Sequence, residues 1–177
     1  AVDAALRGDT VEVGEGVYKE QITIDKPLVL RSSAGEARAV RLTGRVRIVT
    51  TEEVRIESIT IGGGTGPVDY GLHIESGEVT LNDVLFSDIQ GGGLRIDVAA
   101  KVSAAHSNFE KNIQGIDVLG RLTLFECIVE DTIETAQIRV RAGGEVAVTN
   151  SGILSGQEEG IHLSETSRAT ITKSSFV

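Results

Sequence analysis

Five side chains able to bind anions or move protons recur at an almost constant pitch: His73, Arg95, Asp117, Arg139 and His162. Each is the third member of a tetrad, GLHI, GLRI, GIDV, QIRV or GIHL, and the tetrads start 22, 22, 22 and 23 residues apart. Arginine takes a carboxylate through two parallel hydrogen bonds, aspartate orients a hydroxyl or a metal, and histidine exchanges a proton near neutral pH. Brought onto one line, these five candidate ligand-binding residues suit an extended acidic polymer. The same pattern also has a use without any ligand. Opposite charges on neighbouring strands stabilise a sheet by about 0.2 to 1 kcal/mol per pair, and this charge-compensated surface is the plainer reading of the two.

The elements that must position the five are strands. Within each tetrad two apolar residues flank the polar one, the alternation of a half-buried strand. A second ladder follows. With Val54, Val79, Val102, Leu122, Val146 and Ala169 as position zero, positions two, five and seven are again apolar or small, as in Leu124, Cys127 and Val129 or Val148, Ser151 and Ile153. The extra residue between the pairs marks a bend, so each repeat holds three short strands. No stretch sustains the spacing of an amphipathic helix.

One such repeat cannot bury its apolar face alone and must be covered by the next, which predicts a solenoid. Three strands in about 23 residues fit one coil of a right-handed parallel β-helix, with rungs roughly 4.8 Å apart. The expected fold is therefore all-β, a single domain over 1–177 of about seven coils, with Val79, Leu81, Val102, Leu122, Leu124, Val146, Val148 and Ile171 inward. Glycines at 62–64, 91–93 and 143–144 fall at corners. Residues 1–7 are a candidate cap helix. ATITKSSFV stops inside a repeat, so downstream coils or end-to-end self-association are expected there.

Composition narrows the partners. With 17 basic and 26 acidic residues the formal charge is -9, which repels phosphate backbones and argues against nucleic acid. No apolar run approaches the roughly 20 residues of a membrane span. The chain opens on Ala1 rather than Met, which leaves export open. The core must be built from aliphatic residues, because Met and Trp are absent and there are only 4 Phe and 2 Tyr.

GDTVEVGEGVYKEQITIDKPLVLR, residues 8–31, resembles the opening of the pectin-lyase-like β-helix superfamily, in particular NosD-like accessory proteins and pectin methylesterases; NFEKNIQGIDV, residues 108–118, resembles a generic repeat of that group. The resemblance implies the β-helix and a carbohydrate-related role, outside the cytoplasm in the extracellular or periplasmic space. Catalytic signatures do not carry over with it. The Gly16-Val17-Tyr18-Lys19-Glu20 opening matches the methylesterases, but their glutamine-aspartate-threonine motif is missing, and so is the paired aspartate of polygalacturonases.

Other candidates are weaker. Glu130, Asp131 and Glu134, with Glu158 and Glu159 in the next turn, offer oxygens for calcium, which wants six to eight of them; acidic surface turns are the simpler account, and no metal is expected. Cys127 lies in an inward column and reads as a small core residue, and His106 as a solvent-facing corner. Phosphate-loop, dinucleotide and zinc-protease signatures are absent, so no cofactor is expected. Three functions follow: a non-catalytic or accessory carbohydrate-binding domain, a lyase or hydrolase of acidic polysaccharide using Asp117, or a structural spacer.

Overall fold

In the computed structural model, which describes residues 1–63, 69–154 and 159–177, every strand pairing is parallel. The chain winds as a right-handed parallel β-helix of about seven coils. One eight-stranded sheet runs from Gly16–Tyr18 to Ser175–Phe176, and a bent thirteen-stranded sheet supplies the other two faces. In two coils the bend is continuous, within Tyr70–Asn82 and Gly92–Ala105, and the register between them shifts from Ile96 to Ala99. In the next coil the chain breaks instead into Gln114–Val118 and Arg121–Phe125.

Stacking the repeats converts alternation along the chain into columns across it. Leu42, Ile61, Phe86, Phe109, Val129 and Ile153 form one buried column, in which the Phe86 and Phe109 rings stack at 4.5 Å. Ile56, Leu81, Ala104, Leu124 and Val148 form another. Of the residues expected inward, Ile171 alone is open to solvent. It pairs with Val148 in register and is 47% exposed, in the last strand of its sheet.

The bend foreseen from the extra residue is a left-handed one. Ser58, Asp83, His106, Glu126, Asn150 and Lys173 take φ between 49° and 54° at equivalent corners. The residue after each turns inward, and where it is serine its hydroxyl caps the backbone: Ser107 Oγ accepts from the Val84 N–H, Ser151 Oγ from Cys127, and Ser174 Oγ from Ser151. Cys127 occupies this column, and burial pushes its thiol pKa up. His106 sits outside, paired with Glu126 at 3.0 Å.

At the start, the expected cap is shorter than a helix over 1–7. Val2–Ala4 forms one 3-10 turn, Val2 packs on the core, and Lys26 Nζ donates to the carbonyls of Asp3 and Ala5. A second 3-10 turn is Ala37–Ala39.

Candidate functional site

The five tetrad residues stand in register. Partner by partner the line runs His73, Arg95, Asp117, Arg139 and His162, and Arg47 precedes it opposite His73. Four rung spacings separate His73 from His162, roughly 19 Å. Arg47 belongs to a sixth tetrad, RVRI, whose start precedes that of GLHI by 71 − 45 = 26 residues. The longer interval concealed it, because it breaks the 22-residue pitch.

Glycines at or just before the tetrad starts are closely packed. A Cβ on Gly115 would meet the Gln137 carbonyl oxygen at 1.9 Å, and one on Gly92 would meet the Tyr70 ring at 2.2 Å. The backbone of the next coil at Gly115 and the Tyr70 ring at Gly92 therefore leave no room for a side chain at these positions. Two hollows lie along this face. One, of about 540 Å³, is bordered by Arg45, Tyr70, His73, Arg95 and Gln114; the other, of about 380 Å³, by Arg139, Arg141, Glu159 and His162. Glu134 borders both.

Asp117 differs most from expectation. It is only 5% exposed, although its position in the strand faces away from the core. Its neighbour above is Arg141 rather than Arg139: Arg141 Nε donates to Oδ1 at 2.7 Å and Nη2 to Oδ2 at 3.2 Å. Tyr70 Oη donates to Oδ2 at 3.1 Å, and Arg95 Nη1 stands at 3.9 Å. The register partner Arg139 makes no contact with Asp117 that counts as a hydrogen bond or ion pair, whereas Arg141, two residues on, reaches back across the rung. Asp117 is thus an anchor for Tyr70 and Arg141. Burial, then the Asp117 charge, raises the Tyr70 phenol above its ordinary value.

The residue directly after the tetrad, not singled out from the sequence, carries the rest of the network in three coils: Glu75, Asp97 and Arg141. Arg47 holds Glu75 through two bonds, at 2.5 and 2.9 Å, and that hydrogen bonding keeps the Glu75 carboxyl below its usual range. Asp97 accepts from Arg95 Nε at 2.9 Å and meets His73 Nε2 at 2.8 Å. Burial alone would raise Asp97, but the hydrogen bonds from His73 and Arg95 outweigh it and lower the pKa. Arg95 also lies over the Tyr70 ring, 5.7 Å from its centroid.

Towards the last coils the network loosens. Arg139 has no hydrogen bond or ion pair among the described residues and borders the second hollow. His162 is exposed and bonds to Glu159 at 2.6 Å. Among the described residues Arg139 is thus a cation without a partner, while Arg95 and Asp117 are already paired. Glu130, Asp131 and Glu134 do not converge into a group of metal ligands among the described residues, and Glu158 and Gly64 lie outside those residues. Among the described residues no helix is long and apolar enough to cross a membrane.

The fold is shared with two solved structures of the pectin methylesterase from Aspergillus niger, one deglycosylated and one in penultimately deglycosylated form with an N-acetylglucosamine stub. Each superposes with a TM-score of 0.69 at 14% identity, covering 98% of this chain and 79% of the other. No curated protein matches the chain in sequence. The family model described as "right handed beta helix region" matches residues 39–177, and the chain belongs to that family of right-handed β-helices.

Proposed function

We propose that the groove over the tetrad face binds an extended acidic saccharide, the chain acting as a carbohydrate-binding β-helix outside the cytoplasm. The observation that carries this reading is the pair of polar hollows along one rung column, with Arg139, which has no ion pair among the described residues, bordering one and Tyr70 bordering the other. Carbohydrate recognition uses such parts: a cation for each carboxylate, hydrogen-bonding side chains for hydroxyls, and an aromatic face for the apolar side of a ring. Asp97 and Asp117 are both held in ion pairs, an arrangement suited to recognition. Calorimetric titration with oligogalacturonates tests the proposal, with a dissociation constant of about 1 mM or tighter expected. No heat at higher ligand concentrations would remove it.

A second reading, an enzyme acting on acidic polysaccharide by elimination or hydrolysis, is supported by the extent of the overlap with the fungal pectin methylesterase fold. Function belongs to sites rather than folds, so this support is an analogy. Product release from polygalacturonate that disappears in Asp117→Asn would promote it over binding alone. A spacer role would follow from the absence of both binding and turnover.

A further inference from the structure

Arg45 is unlike the arginines near it, Arg95 on the border of the first hollow and Arg47 on the strand Val46–Ile48. Arg47 and Arg95 each hold a carboxylate, whereas Arg45 has no carboxylate partner within 4.0 Å among the described residues. Its side chain meets His73 Nδ1 through Nη2 at 2.9 Å. Its Nε–H is buried with no acceptor, the one such side-chain atom among the described residues. A buried donor left unmade is costly, so something else must hold the arm in this pose.

That contact defines the state of His73. A guanidinium only donates, so Nδ1 must present its lone pair, and the ring proton sits on Nε2, where it is donated to Asp97 at 2.8 Å. The imidazole is therefore the neutral Nε2–H form. The groups facing it are Arg45 from the preceding coil, Glu75 on its own strand at 3.9 Å from Nδ1, and Asp97 from the following coil. Its register neighbours Arg47 and Arg95 are turned to Glu75 and Asp97. A proton added at Nδ1 replaces the acceptor by a donor and sets two positive charges against each other. Glu75 and Asp97 can accommodate the imidazolium, but Arg45 cannot.

The geometry points to Arg45 as an anion-recognising arm, stowed against neutral His73 and released into the hollow when His73 takes up a proton, so that the groove holds carboxylate ligands more tightly as pH falls. The freed edge carries Nε and Nη side by side, the arrangement that grips a carboxylate through two bonds. The donor that is orphaned in the stowed pose gains its acceptor in the released one. The inference rests on the groove being a saccharide site and adds a regulation to it.

Two measurements separate the switch from the site. Without ligand, the Arg45 Nε–H proton, assigned by its loss in Arg45→Lys, is expected to be strongly protected near pH 8 and weakly protected near pH 5, each relative to a free guanidinium at the same pH. His73→Gln, which keeps an acceptor and never titrates, is expected to hold it protected at both values. Equal protection of the unsubstituted protein at both values would overturn the release. With an oligogalacturonate, the unsubstituted protein should bind about tenfold more tightly near pH 5 than near pH 8, a gain lost in Arg45→Gln and in His73→Gln. Equal binding at both values, or a gain that survives in Arg45→Gln, would reject the role of Arg45. Absence of binding at either value would remove the saccharide reading, and proton exchange would still decide whether the arm moves.

Discussion

Arg141 reaches back across one coil to grip Asp117 through both carboxylate oxygens, at 2.7 and 3.2 Å. The pair is asymmetric: the Asp117 side chain is 6% exposed and that of Arg141 is 43% exposed. Removing the arginine strands a buried charge, whereas neutralising the aspartate leaves a guanidinium that can turn to water. Arg141→Ala is therefore expected to cost about 2 kcal/mol, and Asp117→Asn clearly less. Thermal denaturation of the two variants checks the order.

Asp97 should give folding a dependence on acid. Its folded pKa lies below the ordinary 3.8, so its contribution is fully present above that value and is lost as pH falls through the lower folded value. Asp97→Asn should be less stable than the unsubstituted chain at neutral pH, and the gap should close in acid. Denaturant melts across that range measure the gap.

Tyr70 titrates in the opposite sense. Burial and then Asp117 raise its pKa, so one of the 2 tyrosines should ionise above the ordinary phenol value of 10.0. Ultraviolet titration should show this late component, and Tyr70→Phe should remove it.

Arg95 and Arg139 occupy the same column but should behave differently. Arg139→Ala leaves no carboxylate unpaired among the described residues, so it should weaken oligogalacturonate binding with little change in melting. Arg95→Ala uncovers Asp97 and the Tyr70 ring and should lower the melting temperature as well. Binding isotherms and melting curves on both variants separate the effects.

The columns should tolerate little. Leu124→Asp puts a carboxylate at a site 0% exposed, between Ala104 and Val148, and is expected to prevent folding or to cost more than about 4 kcal/mol. Phe109→Ala breaks the ring stack and should cost about 3 to 5 kcal/mol. Gly115→Ala should also destabilise, since its methyl group meets the carbonyl of Gln137 and a backbone must shift. Chemical denaturation ranks the three.

The sequence by itself determined the solenoid, the columns and the line of tetrad residues. These follow from local alternation and a repeat of fixed length: parallel stacking at one rung spacing carries any residue of one coil onto its equivalent in the next. His73, Arg95, Asp117, Arg139 and His162 could therefore be aligned by counting. Counting failed at Arg47, where the 26-residue interval interrupts the pitch. The partners were decided only by the tertiary structure. Long side chains lean along and across rungs, so Arg141 rather than Arg139 holds Asp117, Tyr70 covers it from two coils away, and Arg45 meets His73 instead of a carboxylate. Register sets where a Cβ stands, but an arginine ends several bonds further on, and where it ends depends on the charges and the space that the neighbouring coils leave.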